Sequence, residues 1–200
     1  MKSKSVVQVC VAGLFLLASI LSNAQEKIRT VEKGLSYPKQ PIEIIALGLD
    51  DKPFNDNSRV MGEQDWLSKL TLSVKNVSNK NIMSFNIDLL IKKEGRILFG
   101  IPVHFYSFTK PADSDVLTAE GDKKIGVLRP GEIVKVKVSD RTMQMYGKHL
   151  VKNEVENIDR VTIDLRWVYF DDRSRWMYGQ ESRPDPDNPG KRIRIDKPEP

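Results

Sequence analysis

His104 and His149 are the only imidazoles in this 200-residue chain. A hydrolytic zinc site draws on two or three imidazoles, often at helical or strand spacing. No HExxH or HxH pattern brings these two together, so both read as structural or surface residues. Serines are plentiful, but no Gly-x-Ser-x-Gly elbow presents one as a nucleophile. A carboxylate pair could cleave a glycoside, with Asp171, Asp172 and Glu181 as the candidates. Asp171 and Asp172 stand beside Arg173 and Arg175, which predicts ion pairs in an exposed turn instead. The run Asp185-Pro186-Asp187-Asn188-Pro189-Gly190, with Asp196 twelfth, has the outline of a calcium loop. Calcium loops need oxygen ligands at alternating positions, and Pro189 holds the fifth, so a Pro-rich turn is the better account. These residues predict no catalytic set, no metal and no cofactor.

The aromatic residues carry more. Trp167 and Tyr169 share one face of a segment, and Trp176 and Tyr178 share one face of the next. If the two segments pair, some of these rings stack across a hairpin. Buried, they are core; exposed, they form a flat platform for a sugar ring or a protein partner. Trp167 reads as core. Trp176, beside charged residues and near the chain end, fits either role. Lys191, Arg192, Arg194 and Lys197 make the end of the chain basic. That describes a solvated tail, or a weak hook for an acidic polysaccharide, a membrane surface or nucleic acid. No aromatics interleave there, so nucleic acid is not expected. Trp176, Tyr178, Lys191, Arg192 and Arg194 are therefore the candidate binding residues. Asn76-Val77-Ser78 also matches the N-glycosylation sequon.

Positioning these side chains falls to a set of strands. In Arg160–Asp172, Val161, Ile163, Leu165, Trp167 and Tyr169 alternate with Arg160, Thr162, Asp164 and Arg166, which predicts a long central strand with one buried face. Leu67–Lys75 and Ile82–Lys92 alternate in the same way, with the polar connection 76–81 between them. A tight turn at Glu94-Gly95 leads into Ile97–Phe108, where Pro102 predicts two short strands or an edge strand with a break. Earlier, 41–49 forms a first apolar segment and 50–64, rich in turn formers, a loop. Lys110–Lys124 is a polar loop. Arg129-Pro130-Gly131-Glu132 predicts a type II turn opening a strand over Ile133–Ser139. Asp140 caps a helix over about Arg141–Lys152, weakened by Gly147. Arg175–Tyr178 is a short last strand hairpinned onto the long one. Seven or eight strands and one short helix predict an all-β, two-sheet antiparallel sandwich over residues 41–180, with a small closed barrel as the alternative.

The ends are read separately. Lys2 and Lys4, the apolar run Val6–Leu21 and Ser22-Asn23-Ala24 describe a signal peptide over residues 1–24, with an uncleaved anchor as the rival reading. Cleavage removes Cys10, the only cysteine, so the mature chain carries no disulfide and no thiol. Two of the 32 basic residues also leave, and against 27 acidic ones the remainder carries +3, too little to argue for nucleic acid. Residues 25–40 read as an N-terminal arm or linker. Residues 181–200, with Pro184, Pro186, Pro189, Pro198 and Pro200, read as a tail without regular structure.

The segments LTLSVKNVSNKNI and LRPGEIVKVKV resemble the build of exported bacterial immunoglobulin-like domains, which pair a Lys-Asn-x-Ser strand end with a Pro-Gly-Glu turn opening a valine-rich strand. The resemblance covers about residues 65–170, lacks the Cys-Trp-Cys marker of antibody domains, and implies a fold. With the leader, it predicts an exported, periplasmic or extracellular, non-enzymatic module. Such a module would bind a protein or envelope partner and have no transmembrane segment once mature. The alternative is a carbohydrate-binding or carbohydrate-active protein using the C-terminal aromatic hairpin.

Overall fold

The computed structural model describes residues 27–50, 52–55, 59–93, 95–106, 126–155 and 157–195. The expected leader, Cys10 and the Lys110–Lys124 loop lie outside them. In chain order the strands are β1 (Lys27–Lys33), β2 (Ile42–Leu49), β3 (Lys52–Phe54), β4 (Arg59–Gly62), β5 (Leu70–Asn76), β6 (Ile82–Lys93) and β7 (Arg96–Tyr106). They continue with β8 (Ile133–Lys137), β9 (Arg160–Phe170), β10 (Arg175–Met177), β11 (Gln180–Pro184) and β12 (Arg192–Arg194). A single-turn helix, α1 (Trp66–Lys69), precedes β5, and α2 (Asp140–Lys152) joins β8 to β9.

The fold is all-β, in two sheets. β9 is central to the larger. On one side it pairs antiparallel with β6, beyond which lies β7. Its other side is shared, the first half pairing parallel with β1 and the second half antiparallel with β10. The smaller sheet runs β3-β2-β5-β8. Phe85, Ile87 and Leu89 of β6, Ile101, Val103 and Phe105 of β7, and Leu72 and Val74 of β5 are all buried in one core.

Local chemistry explains the joints. Gly131 takes φ 81° and Glu132 N donates to Arg129 O at 3.0 Å, the type II turn that Pro-Gly predicts. That turn meets the end of β5: Gly131 N donates to Asn76 O, and Asn76 N to Glu132 O. Asn76 is fully buried, its Nδ2 donating to Lys80 O and Leu128 O while its Oδ1 accepts from Ser78 N and Oγ. The sequon asparagine is thus a loop organiser with its amide engaged inside the protein. Ser139, one residue earlier than expected, caps α2 by accepting from Thr142 N at 3.1 Å. Pro102 sits within an unbroken β7, tolerated because β7 pairs only with β6 among the described strands.

Three expectations are corrected. The 25–40 stretch contains β1, whose Val31 and Arg29 are buried. Arg29, 1 % exposed, donates Nε to Gly62 O, Nη2 to Glu63 O, and Nη1 to Ile158 O and to Asp159 Oδ1. A strand can bury an arginine when carbonyls absorb its donors, and apolar alternation does not reveal such a strand. The 50–64 stretch contains β3 and β4 besides its turns. The stretch 181–200 forms most of β11 and all of β12, closed by a turn in which Asp185 accepts from Asp187 N and Asn188 Nδ2.

Candidate functional site

In β9 strict alternation fails at one residue. Leu165 stands opposite Ile87 and Trp167 opposite Asn86, so Arg166 has no partner and forms a β-bulge. A bulge adds one residue to one strand and reverses the facing of everything beyond it. Val168 and Phe170 therefore point into the core, and Trp167 and Tyr169, read as inward, lie half-buried on the outer face. The reverse happens to Trp176. It pairs with Val168, is 2 % exposed, packs edge-on against Tyr37 at 5.8 Å, and donates Nε1 to Pro38 O at 3.4 Å. Its ring is core and offers a partner no face.

The outer face of the larger sheet is built in cross-strand rows. Tyr106, Ser84, Tyr169 and Arg175 form one; His104, Asn86, Trp167 and Met177 the next; Pro102, Asp88 and Asp164 a third. Rings on β7 and β9 flank the polar groups of β6 between them: His104 and Tyr106 lie 5.3 Å apart, Trp167 and Tyr169 5.1 Å. Asn86 Nδ2 donates to Asp88 Oδ1 at 2.8 Å, and Arg166 Nη1 to Asp88 Oδ2 at 3.1 Å. The guanidinium of Arg175 lies 5.7 Å from the Tyr169 ring and donates Nη1 to its hydroxyl at 3.2 Å.

Burial raises the Asp164 carboxyl, Asp88 raises it further, and Tyr37 and Arg166 oppose them. Burial lowers the His104 imidazole, against the pull of Asp88, so it is neutral at pH 7. Among the described residues three buried side-chain atoms lack a hydrogen-bond partner: Asn86 Oδ1, His104 Nδ1 and Arg175 Nε. Buried polar atoms are ordinarily paired, and all three of these belong to the outer face.

The other candidates separate. Tyr178 is 43 % exposed at the β10–β11 turn, where it and Gly179 both take positive φ, and its ring leans on Tyr37. Arg192 is structural: it donates Nε to Ser182 Oγ and Nη2 to Ser182 O and Arg173 O, holding β12 in place. Lys191 and Arg194 are exposed. Asp172 and Glu181 meet at the Lys80 ammonium, at 2.7 and 2.6 Å, rather than pairing with Arg173 and Arg175. Burial would raise the Asp172 carboxyl, but Lys80 and Ser174 outweigh it and hold it below the usual range. Asp171 accepts from Asn81 Nδ2. An open cleft of about 510 Å³ between β2 and β9, lined by Lys33, Glu43, Ile44, Phe54 and Ile163, gathers no convergent polar set. Among the described residues no group of three His, Cys, Asp or Glu could hold a metal, and no helix is long and apolar enough to cross a membrane.

Comparison with protein-family models, with curated proteins and with solved structures finds no match. The outer face has to be read from its own chemistry. Strand alternation alone missed it, because the bulge that creates it leaves no mark in residue spacing. The one available signal was that Trp167-Val168-Tyr169-Phe170 is apolar at every position, so either face could be the buried one.

Proposed function

We propose that this chain is an exported, non-enzymatic, immunoglobulin-like binding module whose contact surface is the outer face of the larger sheet. The observation that carries the reading is the grouping on that face of the partly exposed rings of Trp167, Tyr169, His104 and Tyr106 around the polar side chains of β6. Aromatic side chains supply much contact area for little conformational entropy. Export is supported by the leader-like residues 1–24. A non-catalytic role is supported by the engagement of Asp172 and Glu181 by Lys80. The leading partner is a protein of the cell envelope. A second reading, saccharide binding, is favoured by the planar polar groups of Asn86, Asp88 and Asp164 beside the rings.

The test compares the intact protein with Trp167→Ala/Tyr106→Ala and with Lys191→Gln/Arg194→Gln, in capture from envelope extract and on a saccharide array. Loss of a specific partner or sugar in the first variant alone supports the outer face. Loss in the second alone returns the contact to β12, and binding unchanged in both overturns the proposal.

A further inference from the structure

β2 is covered along only one side. β5 pairs with it from Ile42 to Leu49, whereas β3 reaches only Leu47–Leu49 on the other side. Among the described strands none pairs with that other side over Ile42–Ala46. The neighbouring ladder fixes where the backbone points. Asn76, opposite Ile42, donates its N to Glu132 O and accepts from Gly131 N, so its backbone groups face away from β2. Pairs that exchange hydrogen bonds alternate with pairs that do not in an antiparallel ladder. Ile42 and Ile44 therefore turn their N–H and C=O to the uncovered side. Gln40 Nε2 donates to Ile42 O at 3.0 Å. Among the described residues nothing meets the N–H of Ile42 or either backbone group of Ile44.

The same alternation sends the side chains of Ile42 and Ile44 inward and that of exposed Glu43 outward. Beneath them the cleft of about 510 Å³ extends towards Phe54, and a second opening of about 330 Å³ extends towards Val77 and Leu165. Ile44 and Ile163 line both. Open edges are ordinarily blunted by lysine or proline. β3 carries Lys52 and Pro53, β7 Pro102, and β8 Lys135 and Lys137. Ile42–Ala46 carries neither residue type, and the bulge at Ile45 only ends its regular run.

We propose that this edge binds an extended segment of a partner polypeptide with the pattern apolar–basic–apolar, added antiparallel to β2 in line with β3. The first residue stands opposite Ile44, donating its N–H to Ile44 O and accepting from Ile44 N. The third accepts from Ile42 N. Residues opposite one another share a face, so the two apolar side chains enter the two openings and the basic one lies beside Glu43. An acyl chain would fill the openings but leave the backbone groups of Ile42 and Ile44 unmet. Ile163 faces the core, whereas the aromatic platform lies on the opposite side of β9, so this is a second site.

The test is an amide NMR titration of the isotope-labelled full chain, expressed so that export processes its leader, with the capped peptide Ser-Val-Lys-Val-Ser. Saturable shifts are expected at the amides of residues 42–44. N-methylation of the first valine, or serine in place of both valines, should weaken binding at least about fivefold, while N-methylation of the lysine is tolerated. Glu43→Lys, at an exposed side chain, should reverse a preference of about threefold for lysine over glutamate in the middle position. Absence of shifts at β2, equal loss from both methylations, or a charge preference that Glu43→Lys leaves unchanged would each overturn the proposal. Shifts there from decanoate and from none of the peptides would assign the openings to an acyl chain and overturn it too.

Discussion

Deleting Arg166 from the middle of the central strand should leave the fold standing. Loss of one residue from a paired strand ordinarily turns every side chain beyond it to the wrong face. Arg166, however, is the β9 residue without a partner in the β6–β9 ladder. Its deletion joins Leu165, opposite Ile87, directly to Trp167, opposite Asn86, with every core residue still inward, and leaves the ladder's other irregularity, between Ile82 and Ser84, untouched. The cost is the ion pair with Asp88, which keeps its bond from Asn86, so about 1–3 kcal/mol is expected for a buried carboxylate left short of a donor.

Deleting Asp164 is the contrasting case. Either buried Val161 and Ile163 turn outward, or Leu165 turns outward and Arg166 inward. Two core side chains at about 1.5–3 kcal/mol each give about 3–6 kcal/mol, comparable with the whole stability of many domains. Urea unfolding followed by tryptophan fluorescence and circular dichroism measures both deletions, with Arg166→Ala and Asp164→Ala separating loss of the side chain from loss of the backbone unit. A deletion of Arg166 that unfolds the protein as thoroughly as deletion of Asp164 would falsify the assignment of the bulge, and with it the reason Trp167 faces outward.

Arg29→Met should cost about 1–3 kcal/mol in the same assay. It removes a donor from the carbonyls of Gly62, Glu63 and Ile158, leaving Glu63 O to Trp66 N and Ile158 O to Trp66 Nε1; no measurable loss would mean these contacts do not hold β1 in place. His104 is held below its ordinary value by burial, so the unfolded chain takes up its proton first. Its stabilising contribution is full above about pH 6.5 and is lost as pH falls through the lower folded value, and His104→Gln should flatten that part of the stability–pH curve. Asp164 has the opposite sign. Its folded value is raised, so it favours folding only when protonated and weighs against it as pH rises through that value; Asp164→Asn should be the more stable protein at pH 7, with the gap closing on acidification.

What the sequence shows of this fold is what period and turn chemistry encode. β6, β8 and most of β9 are legible because apolar and polar residues alternate, and the turn at Arg129–Glu132 because proline and glycine each set a backbone angle there. β1 is not legible, since one of its inward residues is an arginine whose partners are carbonyls from residues 62, 63 and 158. β11 and β12 are polar and Pro-rich, and hold through backbone pairing and the Arg192 contacts to Ser182 and Arg173.

Trp167, read as core, and Trp176, which fits either role by sequence, are both placed by backbone pairing and contacts that residue spacing does not show. The cover of Trp176 comes from Tyr37 and Pro38, which lie in a stretch that reads as linker until Gly34 is seen to cross β9, its N donating to Ile163 O at 2.8 Å where a side chain would collide with that oxygen. The exposure of Trp167 comes from one surplus residue beside it. For Trp176 the deciding partners are distant in sequence; for Trp167 the deciding residue is its neighbour, and only the pairing of β9 with β6 makes it surplus. The candidate surface is therefore a property of strand register: a homologue could keep every aromatic residue and lose the platform by pairing Arg166 into a regular ladder, whereas one lacking Arg166 would keep it.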